Sequence, residues 1–353
     1  MSGSAPPSLL RLAERVNDRL DEFLATERTR WADFDPELAH PVDEIRRLVL
    51  SGGKRLRPAF CHWGFVGAGG GDAEQIEIDA GAAFELMHAF ALFHDDVMDD
   101  ADSRRGQITT HVQAAEQHRA EGWAGESRRF GDGVAILVGD LAFVYADQLM
   151  EEASRPAMKV WNELRIELNI GQYLDILGSV QRTRDVVKAE RICRYKSGKY
   201  TIERPLHLGA VLAAPERADE LLPHLSNYGL PLGDAFQMRD DVMGAFGDEA
   251  TTGKPVGGDL VEGKPTPLLA RATRRATASQ LDVLASVGRP DLDPQGVAAV
   301  QQAIVDTGAL DELEAHIGAL TESAVTSLDA APIAEVAKTE LRLLADYVSQ
   351  RTI

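Results

Sequence analysis

Two aspartate clusters are the residues of this sequence best suited to chemistry. Asp95, Asp96 and Asp99 follow an apolar run and begin a stretch of five aspartates over residues 95–102. On a helix, side chains four positions apart lie on one face about 6 Å apart, so Asp95 and Asp99 would repel each other without a cation. Mg²⁺ prefers a few carboxylates together with substrate phosphates. The spacing therefore predicts a divalent-cation site, and the alternative is a solvated acidic helix end.

A second aspartate pair favours the metal hypothesis. Asp240 and Asp241 also follow a helical pattern, with Gln237 one turn before Asp241. A glycine-rich loop with Lys254 and Lys264 comes next. Glycines let a backbone approach a ligand closely, and lysines supply point charges suited to phosphate. Two acidic pairs beside cationic residues predict a site for metal and a phosphorylated ligand.

Basic clusters matter here because the chain is acidic. Its 353 residues carry a formal net charge of −19, which disfavours nucleic acid and anionic membranes as partners. Lys54, Arg55 and Arg57 lie in "SGGKRLRP", and Arg104 and Arg105 follow the first aspartates. Taken singly, such residues are usually solvated or salt-bridged surface groups. Any phosphate that the chain binds must nevertheless be met by local cations of this kind or by metal.

The composition indicates a globular protein of a reducing compartment. Hydrophobic residues make up 44% of the chain, which is ample for a large core. Cys61 and Cys193 are too few for a disulfide framework or a thiolate zinc site. The segment "MSGSAPPSLL" lacks the features of a signal peptide, and Glu85 and Asp140 interrupt long apolar runs. We therefore expect a soluble, cytoplasmic protein without membrane insertion, with residues 1–7 as a disordered lead.

Helical periodicity runs through nearly the whole sequence. Leu9, Leu12, Val16 and Leu20 recur at spacings of three and four, as one face of an amphipathic helix requires. We find no convincing alternating strand, and Gly and Pro separate the helical segments. Without a Pro- or Ser-rich linker, residues 1–353 are predicted to form a single all-α domain. The predicted helices lie near residues 8–33, 38–50, 58–67, 74–101, 133–153, 158–180, 186–213, 217–246, 264–287, 293–307, 310–328 and 334–350.

Five motifs in order make the sequence similar to the trans-isoprenyl diphosphate synthases, also called polyprenyl synthetases. The motifs are "GGKRLRP", "HDDVMDDADSRRG", "GQYLD", "KSGKYT" and "FQMRDDVMGAFGD" with its lysine loop, and the similarity spans about residues 40 to 290. The resemblance implies an all-α orthogonal bundle of ten or more helices around a deep central cavity. It also implies a homodimeric prenyltransferase that condenses isopentenyl diphosphate with an allylic diphosphate.

The resemblance assigns the aspartates to magnesium. Asp95 and Asp99 would ligate Mg²⁺ bound to the allylic diphosphate, with Asp96 in support. Asp240 would hold a third ion, with Asp241 as a second candidate ligand. Three Mg²⁺ ions per active site are therefore expected.

The same resemblance assigns polar residues to the two diphosphates. The group expected to bind isopentenyl diphosphate comprises Lys54, Arg57, His88 and Arg105. The group expected to bind the allylic diphosphate comprises Arg104, Lys196 and Lys254, with Lys264 as a further candidate. Gln172 and Asp175 would give polar support near the metals. Ser197, where many members carry threonine, and Gln237 would point oxygen dipoles at the allylic cation, and we group them with Lys196 as catalytic residues.

The second aspartate motif departs from the family at Gly244. Many members have a third aspartate there, so one ligand or supporting group is missing from this chain. Asp248 lies one further turn along and would compensate only if the helix continued that far. We nevertheless expect activity, because Asp240 is the residue of this motif most directly tied to metal.

Product length is expected to depend on residues one turn before Asp95. Ala91, four positions earlier, is small, where farnesyl-producing members often carry an aromatic residue. Phe90, five positions earlier, would form a floor one step deeper, a pattern that resembles geranylgeranyl diphosphate synthases. We therefore expect a C20 product, with residues on neighbouring helices also shaping the floor.

Three alternatives to a C20 synthase stay open. A farnesyl or longer polyprenyl diphosphate synthase would use the same motifs. A class I terpene cyclase would share the aspartate-bearing helical fold but would need no clamp for a second diphosphate, such as Arg57 and His88. A non-catalytic subunit of a heteromeric synthase is favoured only by Gly244. Such subunits commonly lose the first aspartates or the arginine pair, and this chain keeps both.

Overall fold

The computed structural model of the chain describes residues 5–71, 74–104, 106–247 and 257–349. The chain divides into two compact units. The N-terminal unit comprises Pro7–His62 and Gly71–Ser154, and the C-terminal unit comprises Met1–Pro6, Trp63–Gly70 and Arg155–Ile353. The single domain over residues 1–353 stays a prediction. Of the expected lead, residues 1–4 lie outside the described residues, and Pro7 already begins the first helix, a position that suits proline.

The N-terminal unit is helical apart from one short hairpin. Its helices are α1 (Pro7–Ala32), α2 (His40–Leu50), α3 (Leu56–Gly67), α4 (Gln75–Met98), α5 (Thr110–Ala120) and α6 (Ser127–Leu149), and the end of α3 belongs to the C-terminal unit. Strands β1 (Ser103–Arg104) and β2 (Gln107–Ile108) pair antiparallel between α4 and α5. The most extensive packing in this unit is that of α4 against α6.

The apolar helix α4 forms the centre of this unit. Its residues from Ala80 to Met87 are all buried, as expected for a helix that is hydrophobic on every side. Neither α4 nor any other helix in the described ranges is both long and apolar enough to cross a bilayer. Because α4 is enclosed by its neighbours, the aspartates at its C-terminal end have a fixed location.

The C-terminal unit contains the remaining helices. These are α7 (Arg155–Val180), α8 (Val186–Cys193), a π-helix (Arg194–Glu203), α9 (Arg204–Ala213), α10 (Ala218–Phe246), α11 (Gly258–Glu262), α12 (Pro267–Arg275), α13 (Ala278–Leu284), α14 (Pro294–Asp306), α15 (Ala309–Ser327) and α16 (Glu335–Ser349). Buried side chains such as Val242, Leu260, Leu268, Ile304 and Leu313 form one core around α10. This core packs against the helix that carries the second aspartate motif.

The all-α prediction is confirmed, and three local differences from it have physical causes. Periodicity analysis missed α5 because its buried residues are small or polar rather than a stripe of large apolar side chains. The helix predicted over 186–213 is interrupted by the π-helix, whose short length hides its altered period. The helix predicted over 264–287 is divided before Thr277, which forms a capping box with Gln280, so the sequence did carry that signal. The deep central cavity stays a prediction.

Candidate active site

The first aspartates lie where α4 ends. Asp95 and Asp96 are in its last turn, and the backbone N–H of Asp99 donates to the carbonyl oxygen of Asp95 at 2.8 Å. Asp100 then adopts a left-handed conformation with φ 53° and turns the chain towards β1. A helix C-terminus carries partial negative charge, so the helix dipole disfavours carboxylates there. These aspartates therefore require cations.

Arg104, on the hairpin, places its positively charged guanidinium group beside Asp95 and Asp96. Its Nε donates to Asp96 Oδ1 at 2.6 Å, and its Nη2 donates to Asp95 Oδ2 at 3.3 Å. Burial raises the pKa of Asp96, and the hydrogen bond from Arg104 opposes that rise. Asp96 is only 5% exposed, whereas Asp95 and Asp99 are half-buried. The motif therefore has one inner aspartate and two outer ones that a cation from solvent can reach.

Arg55, one of the clustered basic residues before α3, has a structural role. It is buried, donates to Asn17 Oδ1 at 2.9 Å and forms an ion pair with Glu85 of α4. This pair ties the loop to the helix that carries the aspartates. Of its neighbours in the predicted clamp, Lys54 is exposed and Arg57 is half-buried.

The described residues of the predicted isopentenyl diphosphate clamp belong to one unit. His88 lies on α4, two turns before Asp95, and is half-buried. Lys54 and Arg57 belong to the same N-terminal unit. Arg105 lies outside the described residues, so the assignment of the clamp stays a prediction.

The second aspartate motif lies on α10 in the C-terminal unit. Asp241 is 5% exposed and accepts hydrogen bonds from Gln237 Nε2 at 2.8 Å and from the Cys193 thiol at 3.4 Å. Burial raises the pKa of Asp241 to about 7, and the negative charge of Asp259 adds to the effect. Asp240 is half-buried. Asp240 is therefore the outer carboxylate of this pair. Asp241 is held inside by Gln237, one turn before it, and by Cys193, which the sequence did not connect to it.

Lys196 lies on the π-helix, which approaches its neighbours closely at glycines. A Cβ atom on Gly171 of α7 would lie 2.4 Å from the backbone nitrogen of Lys196, and one on Gly198 would lie 2.9 Å from the Gly233 carbonyl carbon. The Lys196 Nζ is 2.5 Å from Asp175 Oδ2. The structure thus joins two predicted site residues in an ion pair. π-Helical segments are rare and are frequently found at functional sites.

Glu167 of α7 anchors the far end of the π-helix. It accepts hydrogen bonds from Lys199 and from Arg204, whose Nε lies 2.6 Å from Glu167 Oε2. Burial tends to raise the pKa of Glu167, but these two cations outweigh it and lower the pKa. Gln172 and Ser197 are half-buried on α7 and on the π-helix.

The lysine loop is only partly described. Lys264 Nζ lies 2.7 Å from Glu262 Oε2 and 3.8 Å from Asp259 Oδ1. Lys254 and Asp248 lie outside the described residues. Asp248 was expected to compensate for Gly244 only if the helix continued that far. Helix α10 ends at Phe246, and Gly247 is extended, with ψ 149°.

Comparison with known proteins identifies the family. The family model described as "Polyprenyl synthetase" matches residues 39–306. The chain belongs to the polyprenyl synthetase family. The family prediction is confirmed, and with it the prediction that the chain is a prenyltransferase enzyme.

Similar polyprenyl synthetases span almost the whole chain. A crystal structure of geranylgeranyl pyrophosphate synthase from Corynebacterium glutamicum, complexed with isoprenyl diphosphate and magnesium, is 38% identical. It superposes with a TM-score of 0.91 and covers 98% of this chain and 99% of its own. A geranylfarnesyl diphosphate synthase of Aeropyrum pernix is 34% identical over 86% of this chain and 92% of its own. A farnesyl diphosphate synthase of Escherichia coli is 32% identical, over 88% and 97%.

The carboxylates of this polyprenyl synthetase fit a hard divalent cation. Within the described ranges, no group of three or more His, Cys, Asp or Glu side chains is arranged to hold a metal ion. Mg²⁺ is usually bound by one or two carboxylates plus substrate phosphates rather than by a cage of protein ligands. Asp95 and Asp99 in one unit and Asp240 in the other are outer carboxylates of the required type.

The residues expected to set product length pack against α6. The ring centroid of Phe90 lies 4.6 Å from that of Phe143 and 4.7 Å from that of His94. His94 Nε2 is in turn 3.5 Å from Asp140 Oδ1 on α6. Ala91 is half-buried beside Phe90. The aromatic side chain of Phe90 is thus supported from the facing helix, and Phe143 is a contact that sequence analysis did not name.

Proposed function

We propose that this polyprenyl synthetase condenses isopentenyl diphosphate with allylic diphosphates and releases geranylgeranyl diphosphate, a C20 product. In each cycle the allylic C–O bond breaks, the double bond of isopentenyl diphosphate forms a new C–C bond, and the proton released passes to the diphosphate. The observation that carries the C20 assignment is the Phe90–Phe143 contact beside the small Ala91. The relatives differ in product, so their names alone do not decide the length.

The outer aspartates would bind the allylic diphosphate through metal. We assign Asp95 and Asp99 as Mg²⁺ ligands, with Asp96 held behind them by Arg104. Asp240 would hold a third ion, and the buried Asp241 would support it from the second layer. When bound, Mg²⁺ would stabilise the negative charge that develops on the leaving diphosphate.

Two sets of cations would hold the two substrates. We assign Lys54, Arg57, His88 and Arg105 to isopentenyl diphosphate, and Arg104, Lys196, Lys254 and Lys264 to the allylic diphosphate. Asp175 orients Lys196 through their ion pair. Holding two anionic substrates in a reactive orientation supplies much of the catalysis.

The remaining polar residues would stabilise the allylic cation. The amide nitrogen of Gln237 donates to Asp241, so its carbonyl oxygen is the end of the amide assigned to the cation. Ser197 would contribute its hydroxyl oxygen, and Gln172 would support the diphosphate region. Water would quench the cation, and apolar side chains such as Phe90 would exclude it.

The chain is proposed to act as a homodimer. Helix α6 carries an exposed apolar stripe with Leu137 69% and Val144 58% exposed. These two residues are seven positions apart and therefore lie on nearly the same face. Helix α7 carries another stripe, formed by Ile166, Ile170, Tyr173 and Val180. Monomeric proteins rarely leave large apolar stripes in water.

A metal-dependence assay tests the proposed reaction. The purified chain alone, with isopentenyl diphosphate, an allylic diphosphate and Mg²⁺, should release longer prenyl diphosphates. EDTA should abolish turnover and added Mg²⁺ should restore it. Asp95→Ala should lower kcat by roughly 10²–10³-fold or more, because a charge-stabilising group is lost where charge develops. Asp282→Ala, an exposed aspartate on α13, is the matched control and should keep wild-type activity.

Each alternative gives a different result in the same assay. A terpene cyclase would release hydrocarbon or alcohol from the allylic substrate without consuming isopentenyl diphosphate. A non-catalytic subunit would give no product alone. Full activity in EDTA would contradict the metal-assisted mechanism.

A further inference from the structure

The place of the missing third aspartate on α10 is filled by a residue from another helix. A Cβ atom at Gly244 would lie 1.9 Å from Oδ2 and 2.5 Å from Cγ of Asp259. No side chain can stand at position 244 unless Asp259 moves. The glycine therefore makes room for a carboxylate that arrives from α11.

Helix α11 packs into the core of the C-terminal unit through Leu260. It lies between Gly257 (φ 73°) and Gly263 (φ 77°), both in the left-handed conformation. Its Leu260 is 3% exposed within the core that includes residues of α10. The backbone N–H of Gly288 donates to the Leu260 carbonyl oxygen at 3.0 Å. The packing of one residue thus fixes the position of its neighbour, Asp259.

The carboxylate of Asp259 is largely buried and lies near a lysine. Its side chain is 14% exposed, and its carboxylate lies 3.8 Å from Lys264 Nζ. Lys264 Nζ lies closer to Glu262, at 2.7 Å, so its charge is shared between Glu262 and Asp259. Asp240 is one helical turn before Gly244, on the same face of α10. A carboxylate seated on Gly244 is therefore next to the outer aspartate of the motif.

We infer that Asp259 replaces the third aspartate of the second motif and helps Asp240 to hold its divalent cation or a water bound to it. This inference rests on the proposed function, because the cation is the one that the diphosphate substrate brings. The motif is thus completed across two segments of chain rather than within one helix. Gly244 is a requirement of this arrangement and not a defect.

Binding of inorganic diphosphate to the whole protein, measured by calorimetry over a series of Mg²⁺ concentrations, tests the inference without turnover. Asp259→Asn should raise the Mg²⁺ concentration needed for half-maximal binding by roughly 10–100-fold, the usual effect of losing a supporting group at a metal site. Asp282→Asn is the matched control, because it makes the same change at an exposed aspartate of α13. It should bind like the wild type.

A reciprocal exchange separates the lost carboxylate from a damaged fold. Gly244→Asp alone should weaken Mg²⁺-dependent binding, because the new side chain collides with Asp259. Gly244→Asp combined with Asp259→Ala should restore it, because the carboxylate returns to the same place from α10. Thermal melting followed by circular dichroism checks that the variants are folded.

The outcomes distinguish this inference from the proposed function. Wild-type Mg²⁺ dependence in folded Asp259→Asn overturns the inference and leaves the proposed function standing. An exchange variant that binds as poorly as Asp259→Asn also overturns it. Diphosphate binding by the wild type that ignores Mg²⁺ overturns both.

Discussion

Each aspartate motif has one carboxylate inside the protein and one or two that solvent can reach. Asp96 and Asp241 are both 5% exposed, and their hydrogen-bond donors are Arg104 in one case and Gln237 with Cys193 in the other. Burying a carboxylate costs free energy unless hydrogen bonds offset the loss of water. The buried member is therefore occupied by donors from the protein, and the outer member is the better metal ligand.

Kinetics should separate the residues assigned to the two substrates. His88→Gln should chiefly raise KM for isopentenyl diphosphate by roughly 10–100-fold, since a lost hydrogen bond to a charged group costs about 1.5–3 kcal/mol. Lys196→Ala should chiefly lower kcat, because its charge acts on the diphosphate that leaves. Steady-state assays with each substrate varied in turn measure both effects.

Controls for this comparison are available on the surface. His40→Gln and Lys159→Ala change exposed residues of the same types and should leave both constants unchanged. A His88 variant that loses only allylic affinity would show that the two diphosphate groups are wrongly assigned.

Residue types and order were predictable, but their partners were not. The ordered motifs named the outer aspartates and the site lysines from sequence. The sequence did not predict the hydrogen bond from Cys193 to Asp241 or the packing of Asp259 against Gly244. Each contact joins positions that are distant in sequence and that only tertiary packing brings together. Arg55 looked like its neighbour Lys54, and only its buried pair with Glu85 separates their roles.

At the scale of elements, the π-helix shows how close backbone packing can position site residues. Its close approach to α7 and α10 depends on Gly171 and Gly233, where any side chain would meet backbone. The apolar pattern of residues 186–213 indicated one helix, because ten residues cannot distinguish the π from the α period. The two-residue strands that carry Arg104 were likewise too short to show alternation.

Self-association should depend on the exposed stripe of α6. Leu137→Asp combined with Val144→Asp should convert a dimer into a monomer, because two carboxylates would be desolvated in the interface. Light scattering after size-exclusion chromatography measures the change. Val336→Asp, which alters an exposed apolar residue of α16, should leave a dimer. A monomeric wild type, or a double variant that is still dimeric, would contradict the proposed interface.

At the scale of the whole molecule, the two units contain different parts of the predicted site. The N-terminal unit contains the first aspartates, the predicted isopentenyl diphosphate clamp and the residues expected to limit product length. The C-terminal unit contains the second aspartates and the π-helix with Lys196. Sequence periodicity predicted the all-α class because amphipathic stripes are local, whereas the division into units depends on packing between distant segments.

Product length tests the central claim, that this chain builds a C20 prenyl diphosphate against Phe90. Mass analysis of the dephosphorylated alcohols should show C20 from the wild type. Ala91→Phe should shorten the product towards C15 by filling the space beside the growing chain, and Phe90→Ala should lengthen it beyond C20 by removing the aromatic floor. A wild-type product other than C20, or an unchanged length in both variants, would contradict the account.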